Sequence, residues 1–297
     1  MNHRDFIRSL TPEQRRSLTA RNNLEAVCRL SVLFVLFVLN TLAILNDVPG
    51  QWLLLTIQGL LLVSLFHLLH ECVHGTVFSS RWPNHAIAHL CGFLLFLPSI
   101  WFRCFHFAHH RHTQLPGKDP ELDSEKPASI ASWLIHVSGV KVWLGQFRVL
   151  VSAMLFPVKD RFVPVTERAA VRNEIRIMVI GYVTMLLFSV VVSSDALWKI
   201  WILPILLGQP FLRLYLLAEH TRCAMGSNLF LNTRTVLTNP VVRWFTWNMP
   251  FHAEHHIYPA VPFHRLPDLH AMVSAQVAVK ENGYVLFNAK YLTSLGE

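Results

Sequence analysis

Charge is scarce in this 297-residue chain: Asp, Glu, Lys and Arg together supply 15% of it, against about 25% in soluble domains. With 53% hydrophobic residues and a mean hydropathy of +0.38, that deficit points to a membrane protein before any segment is inspected. Cysteine is also sparse. The five thiols, Cys28, Cys72, Cys91, Cys104 and Cys223, are odd in number and show no CxxC spacing, which argues against a disulfide framework or a cysteine-held cluster. No GxGxxG follows a strand-like run, and there is no internal repeat, low-complexity tract or second domain, so residues 1–297 are expected to form one unit. A cleaved leader is not expected either: the first 25 residues are polar and Arg-rich, and the first apolar run is too long for one.

What is present is long apolar runs. Residues 26–45 and 51–69, separated by Asn46, Asp47, Pro49 and Gly50, read as one transmembrane hairpin; 175–193 and 196–218 read as a second. Pro204 and Pro210 are expected to kink the last span, since each removes a backbone donor. Ahead of the first span, Thr11, Pro12 and Glu13 predict a short capped surface helix. Residues 86–102 are apolar but short, and predict a re-entrant or interfacial hairpin turning at Pro98. Residues 128–156 mix Trp, Lys and Arg with apolar residues and predict an amphipathic helix lying in the interface. The fold class expected is therefore all-α integral membrane protein: four spans in two hairpins, interfacial helices and a cap.

The net charge of +8 does not require nucleic acid, because membrane proteins collect Lys and Arg in cytoplasmic loops. Arg4, Arg8, Arg15, Arg16 and Arg21 precede the first span, and the connection between spans one and two has no basic residue. The N-terminus is therefore expected in the cytoplasm, with residues near 70 and 219 returning to the same side.

Against this map the seventeen histidines are not scattered. HECVH places His70 and His74 at i, i+4. HFAHH places His106, His109 and His110 at i, i+3, i+4, and HAEHH repeats that spacing with His252, His255 and His256. Residues three and four apart share a helix face, so each cluster is expected to aim its imidazoles at a common point. All three clusters, together with His220 beside Glu219, fall at or just beyond span ends on one side. Neutral imidazole binds Fe, Zn, Cu and Ni, and nine donors suit two ions better than one. The flanking Trp101, Phe102, Phe105 and Phe107 would seat the second cluster against lipid.

Three histidine boxes in this order, HECVHG, HFAHHRHT with the following DPE of Asp119, Pro120 and Glu121, and MPFHAEHHIYP, resemble the membrane-bound fatty acid desaturase and hydroxylase superfamily. The resemblance runs from about His67 to His270. It implies two iron ions held by His70, His74, His106, His109, His110, His252, His255 and His256, with His220 added on a looser motif, and O2 as co-substrate. It also implies oxidation of an unactivated C–H bond in a lipid or fatty acyl substrate, and electrons from an external donor such as a ferredoxin or a cytochrome. Histidine withstands such an oxidant better than thiolate, so Cys72 and Cys104 read as packing residues. Desaturation is the leading reading, hydroxylation or ketone formation on the same scaffold the second. A metal transporter and a zinc hydrolase follow.

Glu219 is expected to act at the centre by orienting an imidazole, with Glu71 and Glu254 as further candidates for that task. Asp119 and Glu121 are read as structural, capping a helix or anchoring the second box. His67 and His112 are candidates for support around the ligands. His85, His89 and His136 lack partners at ligand spacing, and His264 and His270 on the Pro-rich tail are read as structural.

Overall fold

Asn2 and Thr11 each start a short helix. The Asn2 side chain caps α1 (His3–Ser9), and Thr11 caps α2 (Pro12–Leu18) through the Gln14 amide, with Pro12 at the first position as expected. The computed structural model describes residues 2–295. The long helices follow: α3 (Asn23–Leu45), α4 (Gln51–His74), α5 (Arg81–Leu94), α6 (Ser99–His112), α7 (Ile130–Val137), α8 (Val140–Leu155), α9 (Arg168–Val191) and α10 (Leu203–His220). Four helices are long and apolar enough to cross a membrane: those containing α3, α4, α9 and α10. The protein is an all-α integral membrane protein. Phe34 and Leu39 of α3 and Ile177 and Phe188 of α9 are exposed, as lipid-facing side chains would be, whereas α4 and α10 bury much more of their surface.

The spans differ from the expected ones at their ends. The second continues five residues past 69, to His74, so the first histidine box is the last part of the span itself. Gly75 then stops the helix in the left-handed region, φ 69°, with its amide bonded to Cys72 O. The third begins earlier, at Arg168, and carries a buried Glu174. Ahead of the fourth, a π-helical turn (Trp198–Ile202) leads into Pro204, and Pro210 sits inside α10 without ending it. The turn between α9 and α10 is short, but α10 packs chiefly against α4.

The segment turning at Pro98 is a bent pair: α5 and α6 meet at 102°. The Glu174 carboxylate holds the bend. It accepts hydrogen bonds from the Ser99 and Ile100 amides at 2.9 and 2.8 Å, and so caps the start of α6 from a neighbouring span. His89, expected to lack a partner, joins it at 2.7 Å. The expected interfacial helix over 128–156 is likewise two helices, α7 and α8, bent by 51°. Gly139 breaks it at φ 73°, where a Cβ would lie 2.3 Å from Gln209 Cγ.

The remaining chain builds a cap of short elements: α11 (Leu229–Asn232), α12 (Pro240–Phe245), α13 (His252–Ile257), α14 (Leu266–Val273) and α15 (Tyr284–Thr293). Two-residue strands β1 (Thr235–Val236) and β2 (Lys280–Glu281) pair in parallel, joining its two ends. Phe6, Leu10 and Leu18 share a core with Phe230, Met249, Ile257 and Leu269, so the first two helices pack on this cap.

Candidate metal centre

Four pieces of chain meet where α4 and α10 end. The last turns of α4 bring His70 and His74, α6 brings His106, His109 and His110, the final residue of α10 is His220, and α13 brings His252, His255 and His256. All nine expected ligands converge, and they do so as two groups. His70, His74, His106, His110 and His255 form one, and His109, His220, His252 and His256 the other, with the ligand nitrogens of each group within 4.8 Å of one another. The groups adjoin: the rings of His110 and His256, one from each, stack at 4.0 Å.

This corrects the expectation that each box aims at one point. In HFAHH the i, i+4 pair, His106 and His110, serves the five-histidine group, and His109 serves the other. In HAEHH the i, i+4 pair, His252 and His256, serves the four-histidine group, and His255 crosses over. Positions i and i+4 differ by about 40° on a helix, but i+3 and i+4 by about 100°. One turn can therefore serve two points on either side of it, and the repeated spacing is used crosswise.

The donor set fits a metal. Within the groups Nε2 faces Nε2: His74 and His106 at 2.8 Å, His109 and His220 at 3.1 Å, His252 and His220 at 3.0 Å, His256 and His252 at 3.1 Å, and His255 and His110 at 3.2 Å. Metal–imidazole bonds of about 2.0–2.1 Å, as in zinc sites, put nitrogens at right angles roughly 3 Å apart. Burial and the neighbouring imidazoles push His252, His255 and His256 well below the ordinary histidine range, so they are neutral, as ligands must be.

The opposite nitrogens are held from outside, which fixes the tautomer and aims the ring. His109 Nδ1 donates to Asp119 Oδ1 at 3.0 Å, His220 Nδ1 to Asn232 O at 3.2 Å, and His256 Nδ1 lies 3.2 Å from Thr113 Oγ1. Glu219 stands 3.4 Å from His252 Nδ1 and Glu71 3.7 Å from His255 Nδ1, looser contacts of the expected kind. Glu254 does not touch a ligand: it bonds His270 at 2.6 Å and Thr235 at 2.7 Å, pinning α13 to α14 and β1.

Asp119 does more than the structural task expected of it. It caps the turn at Glu121, accepts from the Gln114 amide, and orients His109. The only sequence signal was its place in the DPE after the second box. Asp119→Asn is expected to weaken metal retention about 10–100-fold, read by competition with a chelator. Glu121 Oε2 lies 3.5 Å from His109 Nε2 and pairs with Lys126 at 2.7 Å. Burial opposes its charge, but the Lys126 ammonium beside it outweighs that and holds the carboxyl well below its usual range.

Arg234 and Asn232 had no signal. Arg234 donates to Ala218 O and Thr221 O, tying down the carbonyls at the end of α10, while Asn232 holds both His220 and Thr113 O. Among the other histidines, His67 is buried with both ring nitrogens unpartnered, and His112 accepts the Leu115 amide at its carbonyl, 2.8 Å, in the turn after α6. His85 is exposed, and His264 reaches Ala20 O. Cys72 and Cys104 are buried packing residues, as expected.

A cavity of about 1250 Å³ opens onto the centre. His70, His106, His109, His252 and Glu219 line it, together with the apolar side chains of Phe66, Leu95, Phe102, Phe105, Ile205 and Leu212.

Spans that lift paired polyhistidine groups to one end, beside a cavity walled in part by apolar side chains, define a class: multi-pass helical membrane proteins with histidines able to hold metal. The chain belongs to the fatty acid desaturase family, whose description, Fatty acid desaturase, matches residues 47–287. It is 26% identical over 240 residues to the sphingolipid delta(4)-desaturase DES1 of Drosophila melanogaster, covering 77% of this chain and 68% of that one. It is 25% identical over 232 residues to the sn-1 oleoyl-lipid 12-desaturase of Picosynechococcus sp., 72% and 64% of the two chains. It is also 26% identical over 238 residues to the sphingolipid delta(4)-desaturase/C4-monooxygenase DES2 of Rattus norvegicus, 75% and 67%. The matches span about two thirds of the relatives' length.

Proposed function

We propose that the chain desaturates an acyl chain of a lipid, using O2 and two iron ions held by the five- and four-histidine groups. The observation that carries this reading is the junction of nine convergent imidazoles with a cavity large enough for a hydrocarbon chain and walled in part by Phe66, Phe102 and Leu212. Imidazole alone does not separate iron from zinc or copper; the choice of iron is supported by membership of the fatty acid desaturase family, whose relatives named above are lipid desaturases. When bound, the irons would supply the redox chemistry that activates O2.

The protein's own residues do the rest. Phe66, Phe102 and Leu212 give the cavity walls that exclude water and straighten a chain past the ligands. Asp119, Asn232 and Thr113 keep the imidazoles aimed. Glu219, on the cavity wall and 3.4 Å from His252 Nδ1, orients that ring and is placed to hold a proton beside the reacting carbons. The N-terminus and the centre face the cytoplasm, by the five arginines before α3, where an external ferredoxin or cytochrome delivers electrons. Ion transport is the poorer reading, because transporter sites lie near the midplane whereas these ligands gather where α4 and α10 end.

The test is expression in a host of defined lipids, with mass spectrometry of the lipids and a metal count on purified protein. A product lighter by two hydrogens, with iron bound, is expected. A gain of one oxygen would reassign the chain as a hydroxylase. Zinc in place of iron, with no O2 consumed, would overturn the oxidative reading.

A further inference from the structure

The cavity is not apolar throughout. Beside its hydrocarbon walls it is lined by Arg213, His136, Trp143 and Gln146. Each of these carries a buried polar atom with no hydrogen-bond partner: Arg213 Nε, His136 Nε2, Trp143 Nε1 and Gln146 Oε1. Buried polar groups are normally satisfied, so four orphans around one space describe a place shaped for something polar.

Arg213 is the unusual member. It lies inside span α10, packing of α7 against α10 brings His136 beside it, and it forms no ion pair among the described residues. Glu219 and Glu121 act on it only from beyond ion-pair distance, and Glu121 is paired with Lys126. An uncompensated guanidinium inside a span is costly and marks a functional site by default. Arg213 precedes His220 by seven residues, nearly two full turns, so both lie on one face of α10, about 10 Å apart along its axis.

We infer that the cavity takes a substrate with an anionic oxygen head group, a carboxylate or a phosphate ester, held by Arg213 with His136 beside it. The chain then runs along Leu212 and Phe102 and presents a carbon several methylenes away to the histidine centre. Arginine is the residue suited to such a group, because its planar fork matches two oxygens at once. The inference rests on the reading of this cavity as the substrate site. It makes Arg213 a specificity-determining residue: a neutral head group leaves it unpaired.

The test is equilibrium binding to the full chain in nonionic detergent. The probes are a fluorescent C18 fatty acid, its methyl ester and a lysophosphatidic acid of the same chain length, measured on wild type, Arg213→Gln and Arg213→Lys. Wild type is expected to bind at least one anionic probe about tenfold or more tightly than the ester, and the tighter anion identifies carboxylate or phosphate as the source. Arg213→Gln should lose that preference with ester binding retained, and Arg213→Lys, which keeps the charge without the planar fork, should keep only part of it. Equal affinity of wild type for acid, phosphate and ester overturns the inference whatever the variants do, as does a preference that survives Arg213→Gln. Because the readout is binding, the outcomes separate: anion preference without any oxidised lipid would sink the proposed chemistry and leave this site standing, and oxidised lipid without anion preference would do the reverse.

Discussion

His256→Ala is expected to leave a folded, membrane-inserted protein that retains about one metal ion per chain instead of about two, and no turnover. The four-histidine group has no spare nitrogen: His109, His220, His252 and His256 are all it contains, and His256 Nε2 faces His252 Nε2 at 3.1 Å. Removing one leaves three imidazoles, with Glu121 3.5 Å from His109 Nε2. The five-histidine group answers differently. His74→Ala leaves four donors there, so it should keep both metals at weaker affinity and some activity. The helices should survive both changes, because a metal site assembled at span ends adds to packing rather than replacing it. Metal per chain by elemental analysis, beside lipid oxidation and circular dichroism, checks this. Equal metal loss in His74→Ala and His256→Ala would mean that the nine histidines do not act as groups of five and four.

That division was only half legible in the sequence. Which histidines converge was readable because two of the three boxes repeat one spacing that periodicity alone does not produce, and because all the boxes fall at the ends of apolar runs. The assignment of each histidine was not readable. A helical wheel puts His106, His109 and His110 on one face, and only the approach of α13 from the far side shows that a 100° difference between i+3 and i+4 reaches two points. The spans were legible because lipid selects hydropathy over about 20 residues; their ends were not, because α4 runs on through polar ligands until Gly75 stops it. The break at Gly139 was missed because the amphipathic pattern continues across it, and the obstacle, Gln209, comes from a helix seventy residues on. Glu174 acts on α6 from 74 residues away and Arg234 on the end of α10 from 13 residues on, across a largely irregular connection, and local spacing carries no trace of such partners.

Gly208→Leu is expected to abolish the fold, and Gly208→Ala to destabilise it severely. A Cβ on Gly208 would lie 2.3 Å from Gly59 O and 2.6 Å from Gly59 C, and one on Gly59 2.3 Å from Pro204 O. The obstacles are backbone atoms, so no rotamer change relieves them; α4 and α10 must move apart. Small residues that let helices touch backbone to backbone are a main source of association in lipid, where apolar burial no longer drives it. Parting these two helices also breaks the Gln58 hydrogen bond to Ile200 O, and it separates His70 and His74 from His220. Overpacking of a core typically costs about 1–3 kcal/mol; a backbone clash at the central crossing belongs at or above the top of that range. Gly145→Ala is the control. Gly145 lies within α8 with nothing within 4 Å of an added Cβ, so alanine there should be neutral or stabilising by up to about 1 kcal/mol. Thermal unfolding in detergent, followed by size-exclusion chromatography and metal content, checks both. A Gly208→Ala protein as stable and as metal-loaded as Gly145→Ala would mean that α4 and α10 do not meet at these glycines.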